Sequence, residues 1–215
     1  PPPPPPPIPL THPIDTLFTN NSSSDQQASA RQPSRELSPD HVLMHAELES
    51  NVQQAIAVAC LEKGALAANT IVAGGDQACD PHCRGTGPLK ANQFIIIDIF
   101  PRLSESGYHG DMTRTYLKGQ ANEAQKALYH AVFESQQWAL GEHRSGKSAS
   151  AIYKTVMKSF ADQGYHTGIE NGRPSGFIHG LGHGLGLAVH EPPRVNASGT
   201  RLKAGQVITV EPGLY

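Results

Sequence analysis

The sequence predicts an α+β fold for most of the chain. Three segments show the three- and four-residue apolar spacing of helices with one buried face, and several short runs are rich in β-branched and aromatic residues, as strands are. The two kinds of segment do not alternate strictly, which disfavours a doubly wound parallel sheet. The 215 residues, of which 38% are hydrophobic and 17% charged, suffice for one sizeable core or two small ones.

The N-terminal part of the chain is predicted to lack a packed core. Nine of the 18 prolines fall within residues 1–13, and residues 20–40 are rich in Ser, Asn and Gln. Such compositions favour extended, solvated chain. We therefore expect a disordered Pro/Ser-rich tail over residues 1–40 and a folded domain over residues 41–215. The polyproline run is assigned no function.

The helices and strands of the folded domain follow from the same spacings. Helices are predicted from His41 to about Lys63–Gly64, from Glu123 to about Glu142 and from Ala149 to about Gln163. A glycine that can end the helix follows each of them. The predicted strands are Ile71–Ala73, Phe94–Phe100, Asp111–Leu117, Val189–His190 and Gln206–Val210.

Composition excludes several classes of protein. A formal net charge of −2 supplies no basic surface for nucleic acid. No apolar run in the sequence approaches the ~20 residues that cross a bilayer. The N-terminal proline run does not have the pattern expected of a secretory signal, and three cysteines do not make a disulfide framework. A cytoplasmic protein without nucleic-acid or membrane partners is the expectation.

Two aspartates are chemically unusual in their sequence context. Asp98 interrupts an apolar strand, where a charge costs several kcal/mol unless it is paired or bound to a metal. Asp111 follows 13 positions later, across a polar turn, and a hairpin would place the two carboxylates side by side. Adjacent anions repel unless one holds a proton or a cation lies between them. A protonated or ion-paired Asp98, and an Asp111 paired with Arg102 or Arg114, remain open.

Histidines on a glycine-rich segment provide a further signal. His179 and His183 alternate with glycines over residues 177–186, and His190 follows closely. So many glycines disfavour a helix, and an extended chain places the first two imidazoles on one face. Neutral imidazole is the commonest metal ligand in proteins. The segment therefore indicates a crowded site in which backbone, metal and substrate approach closely.

Three carboxylates and one imidazole make up the predicted metal site. Glu211 ends an apolar run and is a candidate ligand together with Asp98, Asp111 and His183. Hard oxygen ligands with one nitrogen suit divalent Mn, Co, Fe or Zn better than a thiolate zinc site does. Several carboxylates at one place also indicate two ions ~3.5–4 Å apart.

Five segments, taken in order, carry a family resemblance. They are Ile97–Asp98, Gly107–Thr115, His179–Gly184, His190–Pro192 and Val210–Tyr215. In this order they resemble the pita-bread metallopeptidases, namely the Xaa-Pro aminopeptidases, Xaa-Pro dipeptidases and methionine aminopeptidases. The resemblance extends from about Leu43 to Tyr215 and implies a pita-bread α+β fold, in which two similar halves pack around a two-metal centre.

The resemblance also implies roles for single residues. The implied metal ligands are Asp98, Asp111, His183 and Glu211; His82 would bind substrate, His190 would hydrogen-bond the tetrahedral intermediate, and His179 would be an active-site histidine of the proline-specific branch. Two divalent metal ions are implied, with Mn first and Co, Fe or Zn as alternatives. The implied reaction is hydrolysis of the N-terminal bond of a peptide, Xaa-Pro in particular. A hydroxide activated by both ions would attack, and Glu211 would take the proton from that water.

The sequence departs from the family pattern in two places. Residues 101–105 lengthen the turn before Asp111, which is tolerable because loop-closure entropy grows slowly with length. The family's fifth ligand, a bridging glutamate beyond the Glu-Pro-Gly motif, has no counterpart before Tyr215. We therefore expect a fragment truncated at its C-terminus.

Two alternative functions stay open at this point. One is a pita-bread domain that has lost catalysis and binds a peptide or protein. The other is a methionine aminopeptidase, which His190–Pro193 favours and His179 opposes. The oligomeric state is also open, a homodimer included.

Overall fold

The structure, a computed structural model, describes residues 48–67 and 69–215. Within these ranges the chain forms three α-helices, one 3-10 helix and nine short strands, an α+β arrangement as predicted. The predicted tail over residues 1–40 lies outside the described residues, and so does the predicted start of the first helix at His41. The prediction of one continuous helix from His41 is wrong at Leu48, which is extended and pairs with Pro88, so that a helix begins at Glu49. None of the helices in the described ranges is long and apolar enough to cross a membrane.

The elements are numbered in chain order. The helices are α1 (Glu49–Glu62), α2 (Glu123–Glu142) and α3 (Ala149–Asp162). The strands are β1 (Ala65–Leu66), β2 (Ile71–Gly74), β3 (Phe94–Ile99), β4 (Arg102–Leu103), β5 (Met112–Leu117), β6 (Gly168–Glu170), β7 (Arg173–Ser175), β8 (Gly182–Gly184) and β9 (Glu191–Val195). The predicted bounds of α2 and α3 agree with the observed bounds to within one residue.

Local capping explains where α2 and α3 begin. The Asn122 side chain accepts the backbone N–H of Gln125, and the Gln125 side chain accepts the backbone N–H of Asn122. This reciprocal pair satisfies two N–H groups that the first turn leaves without partners. At the start of α3 the Ser148 hydroxyl accepts the N–H of Ala151.

The first metal-ligand candidates lie on a three-stranded antiparallel sheet with the order β2-β3-β5. Asp98 on β3 is opposite Ile71 of β2 and Thr113 of β5. Asp111 comes immediately before β5. The predicted hairpin is therefore present, and it returns the second aspartate to the strand that carries the first.

The lengthened turn between β3 and β5 is itself structured. β4 pairs with β1, with Ala65 opposite Leu103. The Arg102 side chain donates to the Gly107 carbonyl at 3.2 Å, and the Gly110 N–H donates to the Pro101 carbonyl at 2.8 Å. The additional residues thus form a short, hydrogen-bonded extension beside the hairpin.

The predicted strand at Val189–His190 is wrong, because these residues are bends and the strand begins at Glu191. The Gly186 N–H donates to the Ala188 carbonyl, and the Ala188 N–H donates to the Glu191 side chain at 3.0 Å. The Glu191 side chain thus holds a turn immediately before Val189, and the extended pairing starts only at Glu191. β9 then pairs with β8.

The predicted strand at Gln206–Val210 is also wrong as a continuous element. Backbone bonds join Thr209 to His183 and Val207 to Leu185, but only a single bridge, Ile208 with Gly184, forms in this part of the chain. The His183 N–H donates to the Thr209 hydroxyl. A side chain therefore replaces one of the reciprocal bonds that a regular antiparallel pair exchanges.

Two larger hydrophobic clusters pack the described residues. The first lies between α1 and the sheet and contains Val52, Val72, Leu89, Ile95 and Ile97. The second joins α2, α3 and the later strands and contains Ala131, Ala139, Ala149, Ile152, Val156, Phe160, Phe177, Leu181, Val195 and Leu202. The sheet that carries Asp98 contributes to the first cluster, and the segment that carries His183 contributes to the second.

Candidate active site

Asp98 presents a half-buried carboxyl group on β3. The Thr113 hydroxyl, directly across the ladder, donates to its Oδ1 at 2.9 Å. Burial raises the pKa of Asp98 to about 6 despite this hydrogen bond, and the charges of Asp111 and Glu211 add to the rise. The neighbouring negative charges of Asp111 and Glu211 therefore make ionisation of Asp98 less favourable.

His183 joins two of the predicted carboxylates. Its Nε2 lies 3.0 Å from Oε1 of Glu211 and 3.4 Å from Oδ2 of Asp111. Burial acts to lower the pKa of His183, but hydrogen bonds to both carboxylates raise it to about 10. The imidazolium proton therefore balances the negative charge of the site.

Glu211 is held in its ionised form. Burial acts to raise its pKa, but hydrogen bonds from His183 and from the Thr209 hydroxyl lower it below the usual value. The bond from Thr209 measures 2.7 Å. This carboxylate therefore accepts two hydrogen bonds at once, one from its own segment and one from the segment that carries His183.

The His190 ring packs edge-to-face on His183, with ring centroids 4.2 Å apart. Burial lowers the pKa of His190, and the positive charge on His183 lowers it further. The ring is therefore neutral near pH 7 and has one N–H to donate.

His179 lies beside the cluster and contacts Tyr215. Its Nδ1 is 2.7 Å from the Gly180 carbonyl, and its Nε2 is 3.3 Å from the Tyr215 hydroxyl. Its ring also packs edge-to-face on Phe177, with centroids 5.3 Å apart. Burial raises the pKa of Tyr215 to about 12, and the charges of Glu211 and Asp98 contribute. The phenol is therefore a neutral donor.

His82 occupies a different environment. Its side chain is 92% exposed, and its backbone N–H and ring both face Asp80, the ring at 3.9 Å. No described contact links it to the carboxylates, and its role in substrate binding stays a prediction.

Three side chains of this region were not predicted from the sequence as site residues. They are Thr113, Thr209 and Tyr215. A signal for the two threonines was available, because residues two apart share a face of an extended chain. Thr113 stands two positions after Asp111, and Thr209 two before Glu211.

The donor types fit divalent metal ions. Carboxylate oxygens and imidazole suit Mn, Fe, Co or Zn, and the Nδ1 of His183 lies 3.0 Å from the Gly184 carbonyl, which is the backbone contact that commonly orients a ligating histidine. No three His, Cys, Asp or Glu side chains in the described ranges are already spaced to hold a metal ion together. The His183 proton is the group that an ion would displace.

Close backbone approach explains glycines in the histidine-rich segment. A Cβ at Gly182 would lie 2.1 Å from the Thr209 carbonyl oxygen, and one at Gly184 would lie 2.3 Å from the Pro192 carbonyl oxygen. Both distances are far below van der Waals contact. Glycine lets the segments that carry His183, Glu211 and β9 lie against one another.

Gly182→Ala is expected to lower the free energy of unfolding by about 1–3 kcal/mol, because overpacking forces backbone shifts. Urea unfolding followed by circular dichroism measures the change. Gly141→Ala is the matched control, since nothing lies within 4 Å of its Cβ position in α2. That substitution should raise the unfolding free energy by up to about 1 kcal/mol. A Gly182→Ala chain as stable as wild type would contradict the close approach.

The structural neighbours of the chain are pita-bread enzymes, and the described fold is the pita-bread α+β fold. The chain belongs to metallopeptidase family M24, whose model matches residues 34–215. Both the fold class and the family were predicted from the ordered motifs.

Similar proteins include Xaa-Pro dipeptidases and their structures. The Xaa-Pro dipeptidase of Pyrococcus furiosus is 34% identical over 149 residues, which are 68% of this chain and 40% of that protein. Among solved structures, the prolidase from Pyrococcus furiosus has a TM-score of 0.72 at 31% identity and is matched over 81% of this chain and 51% of its own. A substrate complex of Escherichia coli aminopeptidase P has a TM-score of 0.68 at 30% identity, over 78% and 41%. The chain thus spans about 40% of the length of the curated relatives it matches.

Proposed function

We propose that this chain forms most of the active site of a metalloaminopeptidase or dipeptidase that hydrolyses the N-terminal bond of peptides, with Xaa-Pro bonds preferred. One observation carries the proposal: His183 Nε2 lies 3.0 Å from Glu211 and 3.4 Å from Asp111. These residues come from widely separated segments, and Asp98 lies within electrostatic range of all three. Membership of the M24 family supports the same function.

Asp98, Asp111, His183 and Glu211 would hold two divalent metal ions, with Mn as the first candidate. When bound, such ions activate water and polarise the carbonyl group of the substrate. The carboxylates also give the site the negative charge that attracts a peptide's α-ammonium group. The threonine hydroxyls on Asp98 and Glu211 restrict how these two carboxylates can rotate.

The remaining steps of the proposed hydrolysis are carried out by side chains of this protein. Glu211 accepts the proton of the attacking water as general base. His190, neutral and next to His183, donates its N–H to the oxygen of the tetrahedral intermediate and stabilises the charge that develops there. His179, held by Tyr215 at 3.3 Å, flanks the position of the substrate.

The test is metal content and peptide hydrolysis measured on one sample. The 215-residue chain is loaded with Mn²⁺, its metal content is measured by mass spectrometry, and cleavage of Ala-Pro and Met-Ala is followed. The Xaa-Pro dipeptidase of Pyrococcus furiosus is the positive control. We expect about two ions per chain and cleavage of Ala-Pro.

The other outcomes separate the alternatives. Cleavage of Met-Ala without Ala-Pro would identify a methionine aminopeptidase. Metal binding without cleavage of either peptide would favour a binding module, and absence of metal binding would contradict the proposed site. A homodimer and a cytoplasmic location remain predictions from the sequence.

A further inference from the structure

The Thr209 hydroxyl connects two groups that the proposed function assigns to metal binding. Its Oγ1 lies 2.7 Å from Oε1 of Glu211 and 3.0 Å from the backbone nitrogen of His183. The same Oε1 lies 3.0 Å from the His183 ring. Thr209, His183 and Glu211 therefore form a closed set of contacts around one carboxylate oxygen.

The direction of the hydroxyl proton follows from the distances. A threonine hydroxyl donates one hydrogen bond and accepts others through its lone pairs. Oγ1 lies 2.7 Å from the Glu211 carboxylate but 3.5 Å from the His183 carbonyl. The shorter bond to a charged acceptor is the stronger one. The hydroxyl therefore donates to Glu211 while it accepts the His183 N–H.

Backbone pairing alone does not require this arrangement. The Thr209 N–H donates to the His183 carbonyl at 2.9 Å, and a regular antiparallel pair would return a bond to the Thr209 carbonyl. Here the His183 N–H donates to the Thr209 hydroxyl instead. A valine would suit a packed extended segment equally well, but it could make neither bond.

We propose that Thr209 is a positioning residue whose hydroxyl holds the Glu211 carboxylate in one orientation against the His183 imidazole, so that the pair is preorganised to bind a divalent metal ion. This inference rests on the proposed function. Thr113 makes the equivalent contact with Asp98 at 2.9 Å. Hydrogen-bond partners of ligands typically contribute about 10–100-fold to metal affinity.

The experiment uses two pairs of chains that differ only in the hydroxyl. Wild type is compared with Thr209→Val, and Thr209→Ser with Thr209→Ala. Mn²⁺ is titrated into each metal-free 215-residue chain by calorimetry, and urea unfolding checks the fold. In each pair, we expect the Kd for Mn²⁺ to be about 10–100-fold weaker without the hydroxyl. If the valine chain does not fold, the serine and alanine chains carry the comparison.

Thr155→Val is the matched control. The Thr155 hydroxyl donates to the Ala151 carbonyl within α3 and is exposed, so this substitution should leave the Kd for Mn²⁺ unchanged.

Two results would overturn the role of Thr209 while the proposed function stands. One is an equal Kd within each pair when wild type binds Mn²⁺. The other is a Kd for Mn²⁺ that is weakened equally, relative to wild type, in the serine and alanine chains. Both of these chains lack the γ-methyl group, which would then be responsible for the change. A wild-type chain that binds no Mn²⁺ would instead overturn the proposed function, and this inference with it.

Discussion

His183→Ala is expected to weaken the binding of one Mn²⁺ ion by more than about 100-fold, because even partners of ligands contribute about 10–100-fold. The imidazole is 8% exposed and is the one nitrogen donor of the predicted set. The substitution also removes the proton that balances Asp111 and Glu211. Breaking such a buried pair costs up to about 3–5 kcal/mol of stability. Hydrolysis of Ala-Pro should fall with the metal content.

Calorimetric titration of Mn²⁺ and urea unfolding measure the two effects separately. His166→Ala is the control, because this exposed histidine lies outside the predicted site and should change neither value. Unchanged metal stoichiometry and affinity in the His183→Ala chain would sink the assignment of His183 as a ligand.

Phe177→Ala is expected to lower the free energy of unfolding by about 3–5 kcal/mol, the range for a large aromatic side chain lost from a core. Phe177 is 1% exposed. Its ring lies 5.5 Å, centroid to centroid, from both Tyr153 and Phe160, and 5.3 Å from His179. The cavity would therefore loosen α3 and also remove a packing contact of His179.

Urea unfolding of the metal-free chain measures this loss. Leu187→Ala is the control, because the Leu187 side chain is 63% exposed and its loss should change stability by no more than about 0.5 kcal/mol. A loss below about 1 kcal/mol for Phe177→Ala would contradict the packing described for the second cluster.

The helices were predictable because their signals are local. α2 and α3 combine a regular apolar period with side chains that cap the first turn, at Asn122 and Ser148. The two wrong strands failed for a reason that is not local. At each of them a side chain takes a backbone N–H: Glu191 accepts that of Ala188, just before the first, and Thr209 of the second accepts that of His183. β-propensity carries no information about such partners.

The candidate site was predictable where a residue conflicts with its surroundings. Asp98 is a charge within an apolar strand, and His183 lies in a run of glycines that no helix would tolerate. Thr209 and Tyr215 conflict with nothing, because a threonine in an extended segment and a tyrosine beside a core are ordinary. Only the folded structure brings each hydroxyl to a predicted site residue.

Asp98 lies on a sheet that contributes to the first hydrophobic cluster, and His183 on a segment that contributes to the second, which bears on how the protein folds. Contacts between residues far apart in sequence form slowly, since the chain must lose loop-closure entropy before they are made. Neither cluster alone can assemble the carboxylate and imidazole donors, so the proposed ligand set is complete only after both have formed. An ion that binds this set stabilises the folded state by mass action and couples the two clusters into one cooperative unfolding unit.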